Sequence, residues 1–411
     1  MLYDVIIIGA GPAGLFCGCH LDSDLNCLIL ERNSRPGIKL LMTGAGQCNV
    51  THDGSIKDFL IHYGNKGKLI RQILYKYNND ALIEYFQKRQ LEMIKREDGK
   101  VFPQSLQAKD VLSALTDNCK ENGVQVQYNS NVIRAVYEEN KRIFKIYSTD
   151  QQFSTKTLVV ATGGCSYPST GSDGNFFDIL KSVNIKINPV KPVLVPIFIE
   201  GYVYGDLSGI SFEKVKVEVF RNYKKTAENT GDVLFTHKCL SGPGILNISR
   251  HVEKGDVLIL DYYNKNNKEV VTQELKKKLT DGKLQFNNLI RNYFDLPKRF
   301  IDTIFKICHI ESDKKSSQVS NKELMKVINK IMSDTLKVSD TGGFETAMAT
   351  SGGVSLDQVD LKRLSSKKYE QLYFAGEALD VDGDTGGYNL QFAFSSGVFC
   401  ARSINREQAT E

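Results

Sequence analysis

The first residues contain the feature that most constrains this chain, an apolar strand running directly into a glycine-rich turn. The strand Val5–Ile8 is followed by Gly9, Gly11 and Gly14 in the spacing G-x-G-x-x-G, and a helical pattern then extends to about Leu21. In such a turn the first glycine permits the sharp bend, the second lets backbone N–H groups approach a pyrophosphate, and the third allows the helix to pack closely. The pattern therefore predicts an α/β fold that binds a dinucleotide.

A second apolar strand, Cys27 to Leu30, ends in Glu31, which lies seventeen residues past Gly14. An acid at the tip of this strand accepts hydrogen bonds from ribose hydroxyls, and its negative charge disfavours a 2′-phosphate. Strand, turn, helix and acid together favour a bound dinucleotide over a glycine-rich turn without a ligand.

The 411 residues are too many for one ordinary core, and the pattern changes along the chain. Strands and helices of the nucleotide-binding type give way near Pro189 to short alternating strands, then to helical periodicity, before a glycine-rich return. We predict a discontinuous nucleotide-binding domain over 1–188 and 340–411. An inserted β-barrel-like domain is predicted over 189–263, and a basic helical subdomain over 264–339.

The net charge of +5 is unevenly distributed. Residues 264–330 hold 15 Lys and Arg against 8 Asp and Glu, a net +7, so the rest of the chain carries −2. A concentrated excess of this kind is typical of a surface that faces a polyanion, although a lysine-rich helix face can also be merely solvated.

Composition excludes several classes of protein. Hydrophobic residues make up 41% and charged residues 25%, as in a soluble globular protein, and no apolar run reaches the ~18 residues of a membrane span. Because the first strand begins at once, we expect no signal peptide. Nine scattered cysteines without C-x-x-C and six isolated histidines predict no metal site and a reducing, cytoplasmic location.

Seven stretches resemble one family along essentially the whole chain. They read IIIGAGPAG from Ile6, KLLMTGAGQCNVT from Lys39, GKVFP from Gly99, ATGGCSYPSTGSDG from Ala161, LFTHKCLSGPGIL from Leu234, TSGGVSLDQVD from Thr350 and AGEALDVDGDTGGYNLQFAFSSG from Ala375. This set resembles the YhiN/BaiN-type flavoproteins, also called aminoacetone-oxidase-like FAD-binding enzymes or RdsA-type ribosomal RNA dihydrouridine synthases. The resemblance implies an FAD-binding, Rossmann-like domain of the two-dinucleotide-binding flavoprotein type, with an inserted small β-barrel and a helical subdomain.

The resemblance also implies which residues bind FAD. They are Gly9, Gly11, Pro12, Ala13 and Gly14 at the pyrophosphate, Glu31, Arg32 and Val132 at the adenosine, Lys39, Asn49, Thr162 and Gly163 in two loops, and Gly376, Glu377, Asp380, Gly386, Gly387, Tyr388, Asn389 and Leu390 toward the flavin. The last five begin a helix whose N-terminus is expected at the flavin pyrimidine, where it stabilises the negative charge of reduced flavin. At Gln47 the family usually has arginine. Glutamine brings no charge, so an anion-binding role is not carried over to that position.

Reduction of an activated C=C needs hydride on one carbon and a proton on the next. We predict Cys48 as the proton donor, because its loop passes close to the flavin in this fold class, with Tyr167 and His237 as rivals. The alternative for Cys48 is a small residue filling a tight loop. No second G-x-G-x-x-G follows a strand, so NAD(P)H is expected to dock only transiently as the electron donor.

Three functions fit these observations. The first is the reduction of uridine to dihydrouridine in 23S ribosomal RNA, which the resemblance implies and the basic segment favours. The second is catalysis on a small molecule, as a bile-acid-type enone reductase or an aminoacetone or amine oxidase that uses O₂. The third, a flavin-loaded scaffold without activity, is disfavoured because the flavin loops are intact. The sequence leaves the oligomeric state open.

Overall fold

The computed structural model describes residues 1–280, 282 and 284–408. The chain divides into two compact units. The first unit comprises Met1–Pro192 and Ala347–Glu411, and the second comprises Val193–Thr346. The first is built around a large mixed sheet, and the second around a closed barrel.

The strands and helices are numbered in chain order. The strands are β1 Leu2–Ile8, β2 Cys27–Leu30, β3 Thr51–His52, β4 Met93–Lys95, β5 Lys100–Pro103, β6 Gln125–Gln127, β7 Val132–Glu138, β8 Ile143–Ser148, β9 Gln152–Val160, β10 Ile187–Val193, β11 Ile197–Ile199, β12 Ser211–Arg221, β13 Lys224–Phe235, β14 Leu240–Ser241, β15 Val257–Asp261, β16 Asp334–Thr341, β17 Ala349–Val354, β18 Val359–Asp360, β19 Ser365–Ser366 and β20 Leu372–Phe374. The α-helices are α1 Pro12–Gly18, α2 Ile38–Met42, α3 Ile56–Phe59, α4 Gly67–Lys76, α5 Asn79–Lys88, α6 Ala108–Glu121, α7 Asn175–Ser182, α8 Pro243–Ile248, α9 Lys268–Thr280, α10 Phe286–Phe294, α11 Lys298–Cys308, α12 Asn321–Met332 and α13 Tyr388–Gln408.

The first unit has a nine-stranded sheet. Its parallel part runs in the order β20-β9-β1-β2-β6. Strands β19 and β18 extend it antiparallel beyond β20, while β8 pairs antiparallel with β9 and β7 with β8. The four residues of β2 and the last four of β1 are all buried, as expected for apolar strands covered on both faces. Because parallel strands end at one edge, the ends of β1, β2 and β9 meet there, which is where α/β sheets bind ligands.

The first helix packs against the last helix. It ends at Gly18, earlier than the predicted Leu21: the Cys19 N–H still bonds to the Leu15 carbonyl four residues back, but the His20 N–H bonds to the Cys17 carbonyl three residues back, as in a turn. Gly397 of α13 faces α1 so closely that a Cβ there would lie 2.5 Å from the Ala13 carbonyl oxygen. The C-terminal helix is therefore fastened directly to the glycine-rich turn.

The second unit is a closed six-stranded barrel in the order β11-β14-β13-β12-β15-β16, with helices α9 to α12 inserted between β15 and β16. Phe300 of α11 packs its ring 4.6 Å from that of Phe212 and 4.9 Å from that of Tyr262, so helix and barrel share one core. The predicted small barrel is confirmed. Its closing strand β16 was not predicted, since it follows four helices and pairs with β15 across that gap.

One buried carboxylate organises the core of the second unit. Asp334 is fully buried, and its Oδ2 accepts hydrogen bonds from the hydroxyls of Tyr204 (2.5 Å) and Tyr262 (3.0 Å). Its Oδ1 accepts a hydrogen bond from Lys330. Because both oxygens are bonded and a cation is paired with them, the charge can be buried.

All nine cysteines are buried and free of disulfide bonds. Over the described ranges, no cluster of three His, Cys, Asp or Glu side chains is suited to a metal ion. Among the same residues, no helix has the length and apolarity needed to cross a membrane.

Candidate functional site

The turn between β1 and α1 has the geometry of a phosphate cradle. Gly9 has a φ of +103°, and a Cβ on it would lie 2.5 Å from the Ala161 carbonyl oxygen, while a Cβ on Gly14 would lie 2.0 Å from the Gly9 carbonyl oxygen. By contrast, a Cβ on Gly11 would meet nothing within 4 Å. The turn is thus closely packed at Gly9 and Gly14 and leaves open space at Gly11, just before α1. The first N–H groups of α1 have no hydrogen-bond partner within the helix. This shape fits the pyrophosphate of FAD.

Glu31 lies at the tip of β2 and is buried. Its Oε2 accepts a hydrogen bond from the Ala10 N–H (2.8 Å), and its Oε1 accepts two from the backbone and side-chain amides of Asn33 (2.9 and 2.7 Å). Oε2 accepts only one hydrogen bond and keeps capacity for a further donor, such as a ribose hydroxyl. The Ser130 N–H also bonds to the Glu31 carbonyl (2.9 Å), which brings the start of β7 at Val132 to the same place.

A glycine-rich loop, residues 161–174, is held against the end of β2 by an ion pair and a hydrogen bond. Arg32 pairs with Asp173 at 2.6 Å, and Asn33 donates a hydrogen bond to the Thr170 carbonyl at 3.0 Å. Gly163 in this loop has a φ of +76°, and its missing Cβ leaves room for the Ser172 hydroxyl. Thr162 precedes it and is half-buried. The loop therefore brings the predicted adenosine and pyrophosphate residues together.

Glu377 joins three separate segments of the first unit. Its Oε1 accepts hydrogen bonds from the Ser166 hydroxyl (2.7 Å) and the Thr350 N–H (2.8 Å), and its Oε2 accepts one from Lys39. Burial raises the pKa of Glu377, but the Lys39 charge and the three hydrogen bonds outweigh burial and bring it below its usual range. The carboxylate is therefore ionised at neutral pH.

Asp380 forms a second network of this kind, next to Gly376 and Glu377 in the chain. Its Oδ1 accepts hydrogen bonds from Lys66 and from the Gly352 N–H (2.9 Å), and its Oδ2 accepts one from Asn188 (2.8 Å). Sequence reasoning missed Lys66 and Asn188. Neither belongs to a motif, and only the fold brings them to Asp380.

The start of α13 is held close to β3. Gly387 has a φ of +100°, and a Cβ on it would lie 2.6 Å from the backbone of Thr51. Asn389 exchanges hydrogen bonds with the backbone of Gly383 at 2.8 and 2.9 Å, while Gly386 also has a positive φ of +120°. Leu390 is half-buried in the first turn. The helix N-terminus predicted to face the flavin is thus fixed by side chain and backbone.

Tyr388, the first residue of α13, stacks with two histidines that sequence reasoning also missed. The ring of His62 lies 4.0 Å from that of Tyr388, and the ring of His52 lies 5.2 Å away, both within 17° of parallel. Asp384 contacts Nδ1 of His62 at 3.0 Å. Burial, with the charges of Asp384 and Asp58, raises the pKa of the Tyr388 hydroxyl. The hydroxyl therefore stays protonated at neutral pH.

Cys48 and Asn49 lie in the loop between α2 and β3. Cys48 is fully buried with a φ of +61°, and burial raises its pKa to about 12 against a hydrogen bond with Thr43 that lowers it. The thiol is thus protonated at neutral pH. Asn49 Oδ1 is buried without a hydrogen-bond partner in the described parts of the chain. A buried acceptor without a donor fits a bound ligand that supplies one.

The two rival proton donors lie in different units. Tyr167 has a φ of +51° and is half-buried in the loop 161–174 of the first unit, one residue after the Ser166 that bonds to Glu377. His237 belongs to the second unit, where it is exposed between β13 and β14.

The glycine-rich turn, the buried acid at β2 and the helix N-terminus of α13 together define a flavin-binding α/β oxidoreductase. The model for the HI0933-like protein Rossmann domain matches residues 3–403. The chain belongs to this family, and it is an FAD-dependent oxidoreductase. Sequence reasoning predicted both the family and the flavoprotein fold, and these predictions are confirmed.

Relatives that match over the full length have two different activities in their names. A ribosomal RNA dihydrouridine synthase from Haemophilus influenzae is 29% identical over 98% of both chains. A 3-dehydro-bile acid delta(4,6)-reductase from Clostridium scindens is 28% identical over 97% of this chain and 98% of its own.

Two solved structures share the fold at low identity. A flavocytochrome c3 fumarate reductase superposes with a TM-score of 0.52 at 12% identity, covering 98% of this chain and 78% of its own. A 3-ketosteroid-delta4-(5alpha)-dehydrogenase from Rhodococcus jostii RHA1 superposes with a TM-score of 0.51 at 13% identity, covering 97% of each chain.

Proposed function

We propose that this enzyme reduces the C5=C6 bond of uridine to dihydrouridine in 23S ribosomal RNA, with NAD(P)H as a transient electron donor. Bound FAD supplies the hydride chemistry. The β1–α1 turn binds its pyrophosphate, Glu31 binds its adenosine ribose, and the N-terminus of α13 lies at the flavin. The open space at Gly11 and the unpartnered oxygen of Asn49 support this placement.

The proton that completes the reduction comes from a side chain that is protonated at neutral pH. We assign it to Cys48, whose pKa of about 12 keeps the thiol protonated. Because the thiol is fully buried, proton delivery requires the loop between α2 and β3 to open toward the substrate. Tyr167 and His237 are the alternative donors.

The observation that favours RNA is the cationic surface of the second unit. Eight basic side chains on α9, α11 and α12 are exposed and form no ion pair among the described residues. They are Lys276, Lys277, Lys278, Lys298, Arg299, Lys306, Lys322 and Lys326. A small-molecule substrate has no use for such a surface, whereas an RNA backbone is bound through its phosphates by side chains of this kind.

The second candidate is an enone reductase that acts on a small molecule. It is supported by the Clostridium scindens relative, whose identity to this chain nearly equals that of the RNA-modifying relative. Both candidates add hydride and a proton across an activated C=C, so the flavin site alone does not separate them.

Mass spectrometry of nucleosides from 23S ribosomal RNA tests the proposal. RNA from a strain lacking this protein is expected to lose dihydrouridine, and the parent gene should restore it. In parallel, the reduced enzyme is mixed with this unmodified RNA or with a bile-acid-type enone, and flavin reoxidation is followed without oxygen. Unchanged dihydrouridine together with rapid reoxidation by the enone would establish the small-molecule function instead.

A further inference from the structure

The hairpin formed by β4 and β5 carries three cations, and carboxylates neutralise two of them. Lys95 pairs with Asp53, and Lys100 Nζ lies 2.6 Å from Asp98 Oδ2. The third cation, Arg96, makes no ion pair with a carboxylate in the described parts of the chain and is exposed. The charge of Arg96 acts on nearby Asp98, which is paired with Lys100, but no carboxylate of the described residues bonds to the guanidinium, so its N–H groups remain available to a ligand.

Two uncharged groups hold Arg96 in place. Its Nη2 donates a hydrogen bond to Gln47 Oε1 at 2.7 Å, and its Cζ lies 3.9 Å from the centre of the Phe102 ring. An amide oxygen and an aromatic face orient a guanidinium without cancelling its charge. The N–H groups that do not face Gln47 remain as a planar set of donors.

The residues that orient Arg96 are connected to the predicted flavin site. Gln47 immediately precedes Cys48 in the chain. The hairpin is fastened by His52, whose Nε2 lies 3.0 Å from the Asp98 carbonyl oxygen and whose ring stacks on Tyr388 at the start of α13. Arg96 is thus an oriented cation on a structured element, beside the loop that carries the proposed proton donor.

We propose that Arg96 binds a phosphodiester group of the RNA substrate close to the reacting uridine. The inference rests on the proposed RNA function and adds a contact in the first unit to the lysine surface of the second. A guanidinium is always charged, and its planar donors match two phosphate oxygens, which an ammonium matches less well. A single exposed arginine held by neutral partners suits an anion that arrives with the substrate.

Binding of a single-stranded oligouridine RNA to the FAD-loaded protein, measured over a range of salt concentrations, tests this assignment. R96Q is expected to lower affinity about tenfold or more, because it removes a charge-assisted hydrogen bond, and to reduce the slope of log K against log salt by about 0.7. R96K is expected to keep the slope and lose part of the affinity. The control R142Q removes an arginine that is 68% exposed between β7 and β8, and should bind like the parent.

Three outcomes contradict the assignment, each in a different way. Parent-like affinity and slope in R96Q, with RNA binding intact in the parent, would show that Arg96 does not contact the RNA. The proposed function would be unaffected by that result. An absence of salt-sensitive RNA binding in the parent would overturn both proposals. A raised KM for a carboxylate-bearing enone in R96Q, with RNA binding unchanged, would assign Arg96 to a small-molecule anion. The flavin absorbance spectrum reports folding, and R96K carries the test if R96Q does not fold.

Discussion

At the scale of single residues, the proposed site depends on groups whose protonation is fixed by their surroundings. Glu377 stays ionised through Lys39, the Ser166 hydroxyl and the Thr350 N–H, while burial raises the pKa of Cys48 and keeps its thiol protonated. In the proposed mechanism, the ionised Glu377 has an electrostatic role and the neutral thiol of Cys48 donates the proton. Substitutions at these positions should therefore affect different steps.

Cys48→Ala should separate the two half-reactions. Flavin reduction by NAD(P)H needs no substrate acid and should proceed at the parent rate. Transfer from reduced flavin to the C=C should slow by about 10²–10⁴-fold, the usual contribution of a positioned general acid. Stopped-flow measurement of flavin absorbance follows each step.

Cys308→Ala provides the matched control, because that thiol is also buried but lies in α11 of the second unit. Both half-reactions should be unchanged in it. Loss of FAD from Cys48→Ala would indicate a packing role for the thiol. Parent rates in both steps would transfer the proton-donor role to Tyr167, tested as Tyr167→Phe.

His20 should make the stability of the fold depend on pH. Burial lowers its pKa from 6.5 to about 4, and its ring contacts the Phe16 carbonyl oxygen at 2.9 Å. Between these two values the unfolded chain binds a proton that the folded chain does not, so the free energy of unfolding falls as the pH drops from 6.5 toward 4. The decrease should reach about 3 kcal/mol.

Urea unfolding of the parent and of His20→Gln, followed by circular dichroism at several pH values, measures this effect. The variant should lose the part of the pH dependence between 6.5 and 4. His309→Asn replaces an exposed histidine and should retain that part. Parallel pH curves for the parent and His20→Gln would disprove the prediction.

At the scale of elements, two glycines of the β1–α1 turn have different expected roles. Gly14 is needed for folding, and Gly11 is needed for cofactor binding. Gly14 has no room for a side chain because the Gly9 carbonyl oxygen occupies that space, whereas Gly11 faces open space. Its φ of −83° is also one that alanine adopts without strain. The same substitution at the two positions should therefore have different consequences.

Gly11→Ala should fold like the parent and bind FAD about tenfold more weakly or worse, since the new methyl group occupies the space expected for the pyrophosphate. Gly14→Ala should lower the free energy of unfolding by about 1–3 kcal/mol, because backbone must move. Thermal unfolding of the apoproteins and titration with FAD give the two quantities. Tight FAD binding by Gly11→Ala would show that the pyrophosphate does not bind at this turn.

At the scale of the whole molecule, the features that could be predicted from the sequence are those determined by residues close together in the chain. The glycine-rich turn, the acid after β2 and the basic helices could be predicted because their signals are local in sequence. The partners of Asp380 could not, since Lys66 lies 314 residues away and belongs to no motif. Strand β16 was missed for the same physical reason: its pairing with β15 depends on tertiary packing around four inserted helices.

The uneven charge of the chain leads to the last prediction, which concerns the surface of α9. Lys276, Lys277 and Lys278 are all exposed, while Val271, Leu275 and Leu279 of the same helix are buried, so the lysines can be replaced without disturbing the core. The variant K276E/K277E/K278E should bind RNA more weakly and with a smaller dependence on salt, because phosphate contacts are lost. Its flavin spectrum should match that of the parent.

The control K109E/K120E/K141E reverses the same number of exposed charges in the first unit, so the two variants have equal net charge. If the surface of α9 binds RNA, only the first variant loses affinity, and fluorescence anisotropy of a labelled ribosomal RNA fragment across salt concentrations measures the difference. Equal losses in both variants would indicate that net charge alone attracts RNA. Parent-like binding by the α9 variant would reduce this surface to a solvated helix face.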